Sequence, residues 1–214
     1  MVRTRVLTNG QIVNYDGDVA TRSTPYHHGS LRSALIGAAT ETIADAGPAA
    51  MSLREVARRA GVTHPAAIYH FGDKAGLLTA VAVEGYRLLS EALTDAKQHS
   101  DSFLEVGVAY VRFAVEHQAH FEVMYRPELY RPEDPELRRA RAAAAAALYG
   151  SGRPDQAQLQ YGVAAWAIVH GIATLWLNGN LPKALGSDPE AIARVIAAHL
   201  RAPTRRRRPA GHQT

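Results

Sequence analysis

Apolar residues recur along most of this chain at intervals of three and four, the spacing of one face of an α-helix. Leu31, Leu35, Ala39 and Ile43 predict a first helix from about Ser30 to Asp45, stopped by Gly47-Pro48. Leu53, Val56, Ala57 and Ala60 give a second, short stripe. In a third, Ala67, Ile68 and Phe71 fall on one side and Pro65, Ala66, Tyr69 and His70 on the other. Leu77, Leu78, Val81, Tyr86, Leu89 and Leu93 carry a longer helix that Asp73 caps. Further helices are expected from about Ser102 to Glu116, over Ala119 to Tyr125, from Glu136 to Leu148 and from about Asp155 to Leu177. A last one starts at Asp188-Pro189 and runs to about Leu200, with Ile192, Val195, Ile196 and Leu200 on one face. Pro127, Pro132 and Pro135 mark an irregular link, and Gly150 to Pro154 a turn.

Strand patterning is confined to the first residues. Val6 to Val13 sets Asn9-Gly10 between apolar residues, a type I′ hairpin signal. A lone hairpin is marginal in water, so residues 1–25 are expected to form a flexible arm or one that docks only on a partner. The rest is all-α: an N-terminal three-helix head joined by a long helix to a larger helical core.

The junctions between the short helices are the most specific part of the chain. Ser52 followed by Glu55 is a capping-box pattern, with hydroxyl to the N3 amide and carboxylate back to the cap amide. Gly61 suits the left-handed residue that closes such a helix, with Val62 packing behind it. Thr63 can cap the next helix, in whose first turn Pro65 is tolerated. That helix has fewer than two turns, and its outer face is aromatic and small instead of charged. Solubility explains such a face poorly. Insertion into a groove explains it well, as in a helix-turn-helix whose second helix enters the DNA major groove. The competing account is an ordinary three-helix core that meets no DNA.

The order A-G-V-T-H-P-A-A-I-Y-H-F-G-D-K-A-G-L-L, Ala60 to Leu78, resembles the DNA-binding signature of the TetR family of bacterial transcription regulators. The resemblance covers residues 26–98. A second one, W-A-I-V-H-G from Trp166 to Gly171, is similar to the Trp-His-Gly signature of one class of that family's C-terminal domains; Phe113 to His117, Phe121 and Met124 fit it too. The resemblance implies a DNA-binding domain over residues 26–75, a ligand-binding and dimerisation domain over 76–202, and a homodimer formed through the last two long helices. It also implies roles for particular residues. Lys74 stands where the family clamps a phosphate, His70 matches the histidine ending the recognition helix, and Arg54 matches a position that reaches a base or a phosphate. Thr63, His64, Pro65 and Ala66 occupy the positions that approach base edges, with Ser52 at the start of the preceding helix. Where the family usually carries a phosphate-binding tyrosine this chain has Ile68, so that contact is either lost or supplied by Tyr69. Arg58 and Arg59 are better explained as a solvated helix face.

Bulk properties agree without deciding anything. The chain has 214 residues, 47% hydrophobic, and no cysteine, which excludes disulfides and thiolate zinc sites and suits a reducing cytoplasm. The net charge of +4 divides into +2 over residues 1–80, −3 over 81–200 and +5 over 201–214. That pattern fits a DNA-facing end on an acidic body. The arginine run in the tail, residues 203–214, reads as disordered and solvated. No secretory signal is visible, and the longest apolar stretch, Gly162 to Leu177, contains His170 and is short for a membrane span.

Aromatic residues concentrate where a cavity between core helices would lie: Tyr110, Phe113, Phe121, Tyr125, Trp166 and Trp176, with His117, Met124 and His170 near them in pattern. This set can line a pocket for a small-molecule effector, or can be plain core packing. For His170 three accounts stand: a core histidine bonded to backbone, a polar anchor in a pocket, or a metal ligand with His117 and His120. No cofactor or metal is expected, and nothing resembles a catalytic constellation. The expected function is a cytoplasmic, dimeric, ligand-responsive regulator, most simply a repressor on a double-stranded DNA operator. The alternatives are a helical small-molecule-binding protein or enzyme with a vestigial head, and a DNA-binding protein without ligand control.

Overall fold

The computed structural model describes residues 5–8, 11–14, 28–100, 102–150 and 155–200. The chain divides into two compact units, residues 1–31 and 32–214. In the first, β1 (Arg5–Thr8) and β2 (Gln11–Asn14) pair antiparallel with Thr8 opposite Gln11, the register a two-residue connection imposes. Of the expected N-terminal arm only the hairpin strands are described; the rest of residues 1–25, residues 151–154 of the expected turn and the tail at 203–214 lie outside the described residues.

Among the described residues after the hairpin, helices joined by turns make up the chain, the first being α1 (His28–Ala50). Gly47 interrupts α1 with φ 75° and ψ 163°, so regular helix stops where Gly47-Pro48 predicts. Next come α2 (Leu53–Arg59), α3 (His64–Phe71) and the long α4 (Lys74–His99). They are followed by α5 (Phe103–Glu116) and α6 (Gln118–Met124). A 3-10 turn at Pro127–Leu129 leads to α7 (Pro135–Tyr149), then α8 (Gln156–Leu177). A second such turn at Lys183–Leu185 precedes α9 (Pro189–Ala197).

The predicted stripe of α4 is buried from Leu77 to Leu93, and α5, α6 and α7 pack along it. Gly85 lets α6 approach: a Cβ there would stand 2.5 Å from Met124 Sδ and 3.0 Å from His120 Cβ. Beyond α5 lie α8 and α9. Two forked ion pairs tie α5 to α9, Arg112 to Glu190 at 2.7 and 2.6 Å and Arg194 to Glu105 at 3.0 Å twice. These bonds hold both carboxyls below their ordinary range. On α9, Ile192 and the small Ala193 are buried, while Val195, on the expected apolar face, is 65% exposed in the single chain.

Candidate functional site

The α2–α3 junction is fixed by local hydrogen bonds. Ser52 Oγ accepts from the Glu55 amide at 3.2 Å, as a cap should. The reciprocal half of the expected capping box is absent. The Glu55 carboxylate turns instead to Arg58 one turn on, at 2.6 and 2.8 Å, a charge-assisted fork that outcompetes a single amide. At the other end Val62 N donates to Ala57 O and Gly61 N to Arg58 O, the paired bonds of a Schellman motif, with Gly61 at φ 68°. Thr63 Oγ1 then accepts from Ala66 N, and Asp73 Oδ1 from Gly76 N at 2.8 Å, capping α3 and α4.

These joints decide what α3 shows to solvent. Ala67 and Phe71, one turn apart, centre its buried face. His64, Pro65 and Tyr69 are exposed, Tyr69 at 82%, as are Ser52, Arg54 and Thr63, while Ala66, His70 and Lys74 are half-buried. Ile68 was expected on the core side, but it is 43% exposed because it sits about 100° round the helix from Ala67. Ile68 and Tyr69 therefore form one apolar and aromatic rim. Lys74 Nζ donates to Ala49 O at 2.8 Å, which fixes it between the end of α1 and the start of α4. Arg59 pairs with Asp45 at 2.8 Å and Arg58 with Glu55, in line with a surface role for both.

Deep in the core, Tyr110 on α5 gathers three partners. Trp166 Nε1 donates to its hydroxyl at 3.2 Å, the Tyr125 hydroxyl shares a bond of 2.7 Å, and His170 Nδ1 lies 2.9 Å away. The bond of His170 is thus to a side-chain hydroxyl, not to backbone. Burial lowers its pKa and favours the neutral ring, while burial raises the Tyr110 hydroxyl far above its ordinary value. Among the described residues no group of three or more His, Cys, Asp or Glu could hold a metal ion.

Two clefts share Tyr125 of this cluster. One of about 320 Å³ is bounded by Tyr110, Met124, Tyr125 and Trp166 together with Tyr86, Tyr130 and Arg141. The other, about 260 Å³, has Phe121, Tyr125 and His170 in its wall. Phe113 and His117 face a third, polar groove between α4 and α5. Trp176 lines none of these clefts. Sequence patterning missed Tyr86, Tyr130 and Arg141. Tyr86 looked like one more core position of α4, and the alanine run masked the inward face of α7.

Comparison with known proteins matches this two-part layout. Residues 35–81 fit the model described as bacterial regulatory proteins, tetR family, and residues 103–200 the tetracyclin repressor-like C-terminal domain. The chain belongs to the TetR family. The first of these matches thus runs from within α1 to the early turns of α4, across the described helix-turn-helix. An HTH-type transcriptional repressor of Mycobacterium tuberculosis is 40% identical over 60 residues, 28% of this chain and 32% of that protein. The chain thus spans about a third of the curated relatives it matches. A protein of unknown function from Rhodococcus sp. RHA1 is 30% identical, with TM-score 0.68 over 83% of this chain and 96% of the other. The TetR family regulator PfmR from Thermus thermophilus shares the fold at 19% identity, with TM-score 0.60 over 80% and 99%. Among the described residues no helix is long and apolar enough to cross a membrane.

Proposed function

We propose that this TetR-family chain is a cytoplasmic, homodimeric regulator that binds a palindromic operator and leaves it when a small molecule enters the core. The observation that carries the reading is the outer face of α3. His64, Pro65, Ile68 and Tyr69 stand exposed on a helix whose two ends are pinned, and none of them is a carboxylate. Such a surface suits apolar and hydrogen-bond contact with base edges, with Arg54 beside it for a base or a phosphate.

Dimerisation is supported by α8. Gly162, Ala165, Val169, Ile172 and Ala173 are buried on one side, while Leu159, Val163, Ala167 and Leu175 are exposed on the other. An apolar face left open in this way suits a second copy of the chain. Two heads held about 34–36 Å apart would meet successive major grooves.

The link between core and head supports ligand response. Pro127 and Tyr130 border the 320 Å³ cleft. The next residue, Arg131, reaches the start of α4 through Asp73 at 3.0 Å and, by its amide, Thr79 Oγ1 at 3.0 Å. A ligand that displaces this segment acts on the head, provided it binds the DNA-free state more tightly. The test is selection of bound duplexes from a random pool at two salt concentrations, repeated with a metabolite panel. One preferred palindrome, bound less as salt rises, is expected. Equal retention of all sequences would remove the reading.

A further inference from the structure

We infer that the effector bound in the cleft between α4 and α7 is an aromatic or similarly flat monocarboxylate, and that Arg141 receives its charge. This rests on the ligand-responsive reading above and specifies the chemistry of that site. On α7, Leu137, Arg141, Ala144 and Leu148 recur at helical spacing along one stripe. The buried face of the helix is Leu137, Ala140, Ala144 and Leu148, and the exposed Arg141 flanks it where the helix borders the cleft. Its guanidinium carbon lies 5.9 Å from the centre of the Tyr86 ring.

Arg141 has no carboxylate partner among the described residues. Carboxylates of the neighbouring elements have other partners: Glu122 and Glu128 both pair with Arg126, at 3.3 and 3.1 Å. Glu133 lies 3.6 Å from Arg138, and Glu136 pairs with Arg87 at 2.7 Å. Tyrosines aside, Arg141 is the one ionisable residue among the described residues that line this cleft. Burial raises the hydroxyl pKa of Tyr86, Tyr125 and Tyr130, and the Arg141 charge opposes the rise in all three. Its field therefore extends across the cleft and favours an anion there.

The walls define the remainder of the ligand. Tyr86, Tyr110, Tyr125, Tyr130 and Trp166 supply ring surface, and Ala144 and Ala145 leave the α7 side shallow. About 320 Å³ is at the small end for ligand pockets, suited to one ring and a short side chain. A guanidinium meets a carboxylate through two parallel bonds, and an arginine already lying over a ring needs little reordering to make them. A neutral ligand leaves that fork unused.

Titration calorimetry on the full chain tests this. The probes are phenylacetate, 4-hydroxybenzoate, cinnamate and indole-3-acetate, each beside its primary amide. They are titrated into the unaltered protein, Arg141→Gln and Arg139→Gln, the last an exposed arginine on the same helix. At least one acid is expected to bind roughly tenfold or more tightly than its amide, the range of a charged hydrogen bond. Arg141→Gln should bring the acid to the level of the amide, and Arg139→Gln should leave the preference intact. Amides that bind as well as acids, or a preference surviving Arg141→Gln, would overturn the anionic class while leaving a working pocket. Binding of neither series also overturns it. The ligand-responsive reading is then judged separately, by whether any member of the metabolite panel releases the selected duplex.

Discussion

Arg131 and Asp73 lie 58 positions apart and share an ion pair of 3.0 Å, while the other oxygen of the same carboxylate caps α4. The Gly76 amide and, after it, the Arg131 charge hold this carboxyl below its ordinary value. One side chain thus anchors the first turn of α4 and the segment that borders the cleft. Both partners are more than half exposed, so the pair itself contributes only about 0–1 kcal/mol. Arg131→Gln is therefore expected to lower stability in urea melts by no more than about 1 kcal/mol yet to change duplex affinity. Asp73→Ala removes the cap as well, costing about 1 kcal/mol more. Unaltered duplex affinity in Arg131→Gln would deny the segment a part in coupling.

The outer face of α3 should matter to DNA and not to folding. Tyr69→Ala is expected to leave stability within about 0.5 kcal/mol, because the ring is 82% exposed, and to weaken duplex binding. Tyr69→Phe separates the roles. If the hydroxyl bonds a phosphate in place of the tyrosine missing at Ile68, affinity falls for all sequences alike. Arg54→Ala should cost about 1–3 kcal/mol and relax preference at one operator position where Arg54 reads a base, and weaken all sequences alike where it meets a phosphate.

Gly85→Ala should destabilise the core. The added methyl meets Met124 and His120, and Met124 is only 1% exposed, so its side chain has little room to withdraw. Overpacking costs about 1–3 kcal/mol, against which better helix propensity returns roughly 1 kcal/mol. A net loss is expected on denaturant unfolding. Met124→Ala in the same chain should make the effect of the glycine change smaller, since it empties the space the methyl needs.

Stability should fall on mild acidification. Burial lowers the pKa of His170, and burial with the nearby His120 lowers that of His117. Below the ordinary value of 6.5 the unfolded chain binds protons that the folded chain resists. The stability from these two rings is complete above pH 6.5 and declines as pH drops through it toward their folded values. His170→Gln should flatten urea midpoints measured between pH 7.5 and 5.5. The Glu105 and Glu190 pairs act in a separate window, lost only below about 4.5. An unchanged slope in His170→Gln would mean that its ring is not held neutral.

The sequence was most legible where neighbours along the chain determine the outcome. Ser52, Gly61, Thr63 and Asp73 all perform the capping or turning expected of them, because each bond spans three to five residues. Glu55 shows the limit even at that range. Two partners lay within one turn, and the pattern could not say that Arg58 would win. Ile68 and Val195 show another: spacing gives a face, but the width of the face that is buried depends on what packs there.

By itself, then, the chain's order of residues determined the helices, their caps and the outward Tyr69 of α3, since these follow from backbone hydrogen bonding and a period of 3.6 residues. Tertiary structure alone decided the rest. It brought Tyr110 to His170 across 60 positions and Arg131 to Asp73 across 58. It also turned Arg141 from one letter beside an alanine run into the charge lining a cleft. Such meetings depend on how helices distant in sequence cross and fill space, and no local pattern carries that information.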